Sequence, residues 1–375
     1  MKYLKVKQCN EYRKIIFKLI FFLIFLIFGL VLHKNKEKIT INIIDEIKAI
    51  DVDKFFKLKE KPKDPEDPLI LKEKNSFLNF LSNSTGHKIT SVDTIFLTQN
   101  YKFGNIIIIL NKILFYCEII KCKRIILNKD HTWYIKNNVI YPEYNISIEV
   151  GDPDKFDYSN KTVFDASDNF LFYFGYIKPE FRVKFLKNEI LNNLPKVQVD
   201  SNELFIYIRS GDIFKVDNYY YAQPPLCFYE NIINKFNNFS KIYIIAQDTI
   251  NPVINKLIEE YPKIIFNINP LATDIAYLIN AFNIVGAAST FINIIIRFND
   301  NIKYYWEYNI EADIVKIINL HHSFYKFPKN ITYFRMEPSI KYINEMSYWN
   351  HTESQINLMI TENCTNNFTI INEFT

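Results

Sequence analysis

Residues 204–214 read Leu204-Phe-Ile-Tyr-Ile-Arg-Ser-Gly-Asp-Ile-Phe214, an apolar run that ends abruptly in polar residues. Ile and Tyr at this density are typical of a short buried strand. The strand is followed by Arg209-Ser210-Gly211-Asp212. Ligands of open α/β sheets bind beyond the carboxyl ends of the strands, and arginine offers a planar fork of donors to phosphate oxygens. The tetrapeptide therefore indicates a phosphate-binding turn, with a surface turn closed by an Arg209–Asp212 ion pair as the alternative.

A regular alternation of strands and helices continues from this segment to residue 300. The pattern predicts strands at 241–246, 264–266 and 283–286, and helices at 226–236, 252–260, 274–282 and 291–298. Upstream, strands at 91–97 and 123–127 flank a largely buried helix at 106–121, and an amphipathic helix is predicted at 178–194. Strands that alternate with helices favour a parallel, doubly wound sheet, so we predict an α/β fold.

Polar residues follow three of these predicted strands: Arg209-Ser210-Gly211-Asp212, Gln247-Asp248 and Ser289-Thr290. Because a parallel sheet gathers the carboxyl ends of its strands at one edge, we expect the three clusters to be neighbours. Ser289 and Thr290 also begin a predicted helix, whose free N–H groups suit an anion. Each cluster also has an ordinary interpretation, with Ser289 and Asp274 as helix N-caps and Asp248 as a loop carboxylate.

The composition of the chain and the motifs that it lacks argue against several classes of protein. The chain has 375 residues, 49% hydrophobic and 23% charged, with a net charge of +4. It is long enough for two domains with full cores and carries no charge signature of a nucleic-acid-binding protein. Walker, Gly-x-Gly-x-x-Gly and Gly-x-Ser-x-Gly motifs are absent, which disfavours ATPases, dinucleotide oxidoreductases and serine hydrolases. Asp51-Val52-Asp53 has the spacing of the Asp-x-Asp motif of metal-dependent nucleotide-sugar sites, but it lies in a predicted stalk. Such a site is therefore not indicated.

The N-terminal segment predicts a membrane anchor. Residues 15–32 are apolar apart from Lys18 and follow a basic stretch at 1–14, and their length suits a thin bilayer. The positive-inside rule places residues 1–14 in the cytosol, with a cleaved signal peptide as the alternative. Residues 33–85 contain a charged, proline-rich stretch that is typical of a flexible stalk. We expect everything after the anchor to lie in the lumen of the Golgi or endoplasmic reticulum.

Glycosylation sequons and cysteines are relevant to the predicted lumenal location. Eight Asn-x-Ser/Thr sequons follow the anchor, at Asn83, Asn145, Asn160, Asn238, Asn330, Asn350, Asn363 and Asn367, although an Asn-rich chain produces some by chance. Four cysteines lie on the same side, at Cys117, Cys122, Cys227 and Cys364. An oxidising compartment permits disulfides, but their pairing cannot be read from spacing. Cys117-x4-Cys122 lacks partners for a metal site, which favours buried thiols or one disulfide.

The strand-end residues resemble those of a known family. Ile206–Asp212 is similar to the His-x-Arg-x-Gly-Asp motif of the α1,2-, α1,6- and protein O-fucosyltransferase superfamily. Gly104-Asn105 resembles the Gly-Asn element of the α1,2 group, and Ser289-Thr290-Phe291 resembles the Ser/Thr pair of the donor domain. Two further stretches are similar to an uncharacterised eukaryotic branch, Leu194-Pro195 and Tyr221-Ala222-Gln223-Pro224-Pro225.

The resemblance implies a GT-B architecture of two Rossmann-like, doubly wound domains, at 86–195 on the acceptor side and at 196–320 on the donor side. Residues 321–375 would pack back on the fold. It implies inverting transfer from GDP-fucose to a glycan or glycoprotein hydroxyl, with no cofactor and no bound metal. Arg209 would hold the β-phosphate and offset charge on the departing GDP. The remaining matched residues would bind the donor, with Asp248 or Asp274 at the nucleoside, Ser289 and Thr290 at the phosphates, and Gly104, Asn105, Ser210, Gly211 and Asp212 around them.

One residue departs from the family pattern. Tyr207 stands where the family has histidine, and a phenol donates a hydrogen bond but is not a cation near pH 7. Glu118 is the candidate for the base that deprotonates the acceptor. A catalytically inactive relative that binds glycans or a partner protein is the main alternative. A transferase that uses another nucleotide sugar is a third possibility, because fold-level analogy does not settle the donor.

Overall fold

Strands and helices alternate along most of the chain that the computed structural model describes. The described residues are 71, 74–79, 82, 92–97, 102–128, 135, 139–141, 145–152, 163–165, 180–217, 222–236, 238–287, 289–309 and 331–371. Two compact units, Met1–Lys63 and Asp64–Thr375, divide the chain, and every described residue belongs to the second. The predicted tail at 1–14, the anchor at 15–32 and most of the stalk lie outside the described residues.

Five strands form the first sheet, in the order β3-β4-β2-β1-β5. They are β1 (Thr94–Leu97), β2 (Arg124–Asn128), β3 (Val139–Tyr141), β4 (Ile146–Gly151) and β5 (Val163–Asp165). Only the β3–β4 pair is antiparallel. Helix α1 (Phe103–Ile120) connects β1 to β2 and confirms the predicted strand–helix–strand unit. It begins earlier than residue 106, so Gly104 and Asn105 lie in its first turn rather than in a loop.

Helix α1 is a core helix of the first sheet. Ile106, Ile113 and Leu114 are fully buried. The helix ends at Lys121, which has a left-handed backbone conformation and donates its N–H to the Cys117 carbonyl. Among the described residues, α1 is the one helix long and apolar enough to cross a membrane, but 72% of it is buried inside the protein. Its apolar character is therefore explained by packing.

Seven strands form the second sheet, in the order β12-β11-β10-β9-β6-β7-β8. They are β6 (Glu203–Tyr207), β7 (Lys241–Ile245), β8 (Ile264–Phe266), β9 (Asn283–Val285), β10 (Tyr304–Tyr308), β11 (Thr332–Met336) and β12 (Thr369–Ile371). All neighbours are parallel except β11 and β12. The predicted parallel α/β character is confirmed.

The strand order of this sheet locates its ligand edge. The chain passes outward from β6 through β7 to β8, then returns to the other side of β6 as β9 and continues to β10 and β11. This is the 3-2-1-4-5-6 order of doubly wound sheets, which bind ligands where the direction of winding reverses. The reversal here lies between β6 and β9.

Helices cover both faces of the second sheet. They are α2 (Glu180–Leu191), α3 (Leu226–Lys235), α4 (Pro252–Glu260), α5 (Leu271–Asn280), α6 (Thr290–Phe298), α7 (Ile340–Met346) and α8 (Glu353–Thr361). Along β6, Phe205 belongs to the core that contains α1, α5 and α6. Leu204 and Ile206 belong to the core that contains α3, α4 and α8. The strand is thus buried on both faces, as its uninterrupted apolar run indicates.

Two predicted boundaries are informative. Helix α4 and strand β8 have the predicted limits, because Asn251 caps α4 and Pro252 opens it. Helix α5 begins at Leu271 with Pro270 before it. Asp274 lies inside the first turn of α5, so the prediction that it caps this helix is wrong.

The four described cysteines form two disulfides. Cys117–Cys122 joins the end of α1 to the start of β2, and Cys227–Cys364 joins α3 to the segment after α8. Cys117 and Cys122 thus form a disulfide rather than a pair of buried free thiols, which were the two alternatives that the spacing left open. The second fastens the C-terminal part of the chain to the second sheet.

Candidate functional site

The three predicted polar clusters lie together at the carboxyl edge of the second sheet. Ser210, after β6, donates a hydrogen bond from its hydroxyl to Asp248, after β7. Gln247 donates from Nε2 to the Ser210 carbonyl over 3.2 Å. On the other side of β6, the hydroxyl oxygens of Tyr207 and Ser289 are 3.5 Å apart. The predicted convergence is confirmed, and it falls at the β6/β9 reversal.

Two cations meet one carboxylate at this edge. Oδ2 of Asp212 lies 3.7 Å from Nη2 of Arg209 and 2.6 Å from Nζ of Lys102. Lys102 immediately precedes α1, so this cluster connects the first sheet with the second. The Arg209–Asp212 ion pair of the surface-turn alternative is present, but the Arg209 side chain is only 18% exposed. The cluster is therefore a partly buried site in which two cations share one carboxylate.

The first turns of α1 and α6 pack against each other beside this cluster. A Cβ on Gly104 would lie 2.6 Å from the Phe291 nitrogen and 2.7 Å from the Thr290 carbonyl carbon, so the contact requires glycine. Thr290 also donates from Oγ1 to Asn105 Oδ1 over 2.8 Å. A helix N-terminus carries a partial positive charge, so two such ends add to the two cations.

Three titrating groups have shifted pKa values here. Burial opposes ionisation of Asp212, but the Lys102 hydrogen bond and the Arg209 charge outweigh it and hold its pKa below the usual range. Burial raises the pKa of Tyr207, against the hydrogen bond with Ser289 and the charge of Arg209. Tyr207 is therefore neutral at pH 7 and suited to donate a hydrogen bond. Burial likewise raises the pKa of Asp274 to about 6.

Hydrogen bonds of Ser210 and Asp248 stabilise the turn after β6. Asp248 Oδ1 accepts from the Ile250 N–H over 3.0 Å as well as from Ser210, and Ser210 Oγ accepts from the Asn251 N–H over 2.9 Å. These polar atoms have protein partners, so their geometry supports a structural role more than ligand contact. Gly211 has φ +70°, and a Cβ on it would meet Gln247 Nε2 at 1.6 Å. Glycine is thus required in this turn.

Ser289 is the N-cap of α6, and its phosphate-binding interpretation stays a prediction. Its Oγ accepts from the Phe291 N–H over 3.1 Å, which is the ordinary N-cap interaction of α6. The same hydroxyl lies beside Tyr207 at the reversal of the sheet. Thr290 is the first residue of α6 and faces Asn105. Both hydroxyls therefore stand at the helix end that an anion would approach.

Glu118 and Asp274 lie differently with respect to this site. Glu118 is buried in the last turn of α1, about 20 Å along the helix from Asn105 at roughly 1.5 Å per residue. The prediction of Glu118 as a base near the site is therefore wrong in position. Asp274 is buried in the first turn of α5, accepts from Asn269 Nδ2 over 3.0 Å, and contributes to the raised pKa of Tyr207. It lies near the site.

Sequence reasoning missed Lys102 and Asn251. Lys102 stands two residues before Gly104, but no local pattern pairs it with Asp212 far along the chain. Asn251 precedes Pro252 as a recognisable N-cap, but its bond to the turn after β6 depends on the packing of β6 beside β7.

Within the described ranges, no group of three or more His, Cys, Asp or Glu side chains is arranged to hold a metal ion. Comparison with protein-family models, with curated proteins and with solved structures finds no match for this chain. The resemblance to the fucosyltransferase superfamily therefore rests on the short motifs at Gly104-Asn105, Ile206–Asp212 and Ser289-Thr290-Phe291.

Proposed function

We propose that this protein is a glycosyltransferase of GT-B type that transfers fucose from GDP-fucose to a hydroxyl of a glycan or glycoprotein. The proposal places the reaction in the lumen of the Golgi or endoplasmic reticulum, with the chain held by a single-pass anchor at 15–32. It assigns the second sheet to the donor and the first sheet to the acceptor side.

One observation carries the proposal. Arg209 follows β6, Ser289 and the N-terminus of α6 follow β9, and these two strands flank the reversal of the sheet. A doubly wound sheet binds nucleotides at this point. Arg209, Lys102 and two helix N-termini together suit a diphosphate, which carries charge over several oxygens.

The same groups suit the chemistry of inverting transfer. The acceptor hydroxyl oxygen attacks the anomeric carbon from the face opposite the diphosphate and releases its proton to water, and the bond from that carbon to the β-phosphate oxygen breaks. The departing GDP keeps the electron pair, so negative charge grows on the β-phosphate. Arg209 and Lys102 would stabilise this charge, which is the dominant task of such a site. Tyr207, neutral and near Ser289, would donate a hydrogen bond to the same group.

The described cysteines and sequons support the lumenal placement. All four described cysteines are paired, and disulfides persist in oxidising compartments. Among the described sequons, Asn145, Asn238, Asn363 and Asn367 are exposed, whereas Asn350 is half-buried. Digestion of the cell-expressed protein with peptide N-glycosidase tests this placement, and an unchanged electrophoretic mobility would contradict it.

A thermal-shift panel with the purified full chain tests the donor. The ligands are GDP, UDP and CMP with their sugars, and a ligand at 100 times its dissociation constant should stabilise by about 2.7 kcal/mol. We expect a response to GDP and GDP-fucose that Arg209→Ala abolishes. Arg335→Ala is the matched control, because Arg335 is an ion-paired arginine at β11 in the same sheet. A response to UDP alone would overturn GDP-fucose as the donor.

A catalytically inactive binding protein is the second candidate. The observation in its favour is Tyr207, which cannot supply the positive charge of the family histidine. Radiolabelled transfer from GDP-fucose separates the two candidates in a protein that binds GDP. Binding without transfer or hydrolysis would favour the inactive relative, and no response to any nucleotide would overturn the transferase proposal.

A further inference from the structure

The turn that presents Arg209 is fastened by the start of α4. Asn251 donates from Nδ2 to the Arg209 carbonyl over 3.0 Å, and its backbone N–H donates to Ser210 Oγ over 2.9 Å. The carbonyl end of the same side chain accepts from the Val253 N–H over 3.1 Å. Asn251 is 1% exposed. One buried side chain thus caps a helix and holds the arginine backbone at once.

This double role requires an amide. An aspartate or serine at position 251 would cap α4 about as well as asparagine, because all three accept from helix N–H groups. An ionised aspartate only accepts hydrogen bonds, so it could not donate one to the Arg209 carbonyl. Serine has a hydroxyl proton but lacks the reach of the amide. The Arg209 bond therefore distinguishes asparagine from other good caps.

A second residue restrains the same turn. Gln247 Nε2 donates to the Ser210 carbonyl over 3.2 Å and occupies the space that a Cβ on Gly211 would need. The peptides on both sides of Ser210 are thus held by side chains from the loop after β7. Within this network, Asn251 donates directly to the Arg209 carbonyl.

We infer that Asn251 is a positioning residue that sets where the Arg209 guanidinium stands relative to a bound diphosphate. The inference rests on the proposed function and adds a residue that the motif of residues 206–212 does not contain. Small displacements of a group that contacts charged oxygens are costly. A site residue held by a buried amide keeps its place only while that amide is present.

The test compares Asn251→Ser with Ser339→Ala in the full chain. Ser339 caps α7 and accepts from the Tyr342 N–H over 3.0 Å, so its loss removes a helix cap and leaves the Asn251 bond to the Arg209 carbonyl in place. The two readouts are GDP affinity by calorimetry and hydrogen exchange of the Gly211–Phe214 amides without ligand. Asn251→Ser should weaken GDP binding by about tenfold, equivalent to about 1.4 kcal/mol, and speed exchange in the turn. Ser339→Ala should leave the GDP affinity unchanged while lowering the melting temperature.

The outcomes separate this inference from the proposed function. If the wild-type chain binds GDP and Asn251→Ser binds it equally well, the positioning role is overturned and the donor site stands. Unchanged exchange at Gly211–Phe214 in Asn251→Ser likewise overturns it, because the turn would then be held without the amide. A wild-type chain that binds no nucleotide overturns the proposed function, and the positioning role with it.

Discussion

The hydroxyl oxygens of Tyr207 and Ser289 lie 3.5 Å apart at the ends of two strands that are neighbours in the sheet but distant in sequence. The Tyr207 ring also lies 5.0 Å from that of Phe291, in the first turn of α6. The residue that differs from the motif this segment resembles is thus held against the helix end at the β6/β9 reversal. It is a neutral hydrogen-bond donor where that motif has a histidine.

Tyr207 should matter for donor binding through its hydroxyl. Tyr207→Phe removes a donor of raised pKa, and we expect a loss of about 1 kcal/mol in GDP affinity by calorimetry. Tyr304→Phe, at an exposed tyrosine, is the control. Tyr207→His should raise the rate of fucosyl transfer by restoring a group that can carry positive charge. Equal affinities for wild type and Tyr207→Phe would show that the hydroxyl does not face the ligand.

Lys102 should act as the second cation of the site. Lys102→Ala removes the ion pair with Asp212 and should weaken GDP binding by roughly 0.2–1 kcal/mol, as expected for a charge pair that is largely exposed to solvent. The loss should shrink as ionic strength rises, because Lys102 is largely exposed. Lys256→Ala, at an exposed ion pair with Glu259, is the control. Salt-independent binding in both proteins would contradict this role.

Gly104 should be irreplaceable although it lies in a helix. Alanine stabilises an ordinary helix by about 1 kcal/mol relative to glycine, but here a Cβ would lie 2.6 Å from the Phe291 nitrogen. We expect Gly104→Ala to lower the free energy of unfolding by about 1–3 kcal/mol, measured by urea denaturation. Asn188→Ala, exposed on α2, is the control. A stabilised Gly104→Ala protein would mean that α1 and α6 are not in backbone contact.

Stability should depend on pH through Asp274. Burial raises its pKa to about 6 in the folded chain, above the ordinary value of about 3.9. The folded state then binds more protons than the unfolded state between these values, so this carboxyl makes stability fall as pH rises from about 4 to about 6. Asp274→Asn should remove that part of the slope in urea unfolding. Asp300→Asn, at an exposed aspartate, should leave the slope intact.

The two disulfides should differ in their effect on stability. Cys227–Cys364 spans 137 residues and Cys117–Cys122 spans 5, and a longer loop restricts the unfolded chain more. Chain entropy predicts that removing the long bridge costs roughly 3 kcal/mol more than removing the short one. Paired Cys→Ser variants, compared by urea unfolding, measure the difference. An equal loss for both pairs would contradict the entropic account.

The sequence predicted the second sheet well where local signals agreed. Pro252 and the apolar period after it defined α4, and the short Ile264–Phe266 run defined β8. The parallel α/β character of the sheet also followed from regular alternation. Strands β3, β4, β5, β10, β11 and β12 were not predicted. Strands β8 and β9 are as short as β3, β5 and β12, but they lie within the regular strand–helix alternation, which made them recognisable.

The errors at α1, α5 and Glu118 have physical causes. No side chain caps α1 at Lys102, so the glycine at 104 suggested a turn where a helix had begun. Asp274 is a residue type that favours N-caps, but Pro270 starts α5 instead. Glu118 was assigned to the site without a measure of distance, and an eighteen-residue helix carries its last turn far from its first.

The composition of α1 has a consequence for synthesis. Its 18 residues have a mean hydropathy of 1.7. If the chain enters the lumen as proposed, α1 would pass through the translocation channel before its packing partner α6 has been synthesised. At roughly 5–20 residues per second the interval is of the order of ten to forty seconds. Lys112 lies near the middle of the helix, where a charge opposes transfer into lipid by roughly 2.5–3.5 kcal/mol. That lysine would oppose insertion of the nascent helix into the bilayer until its packing partner has been made.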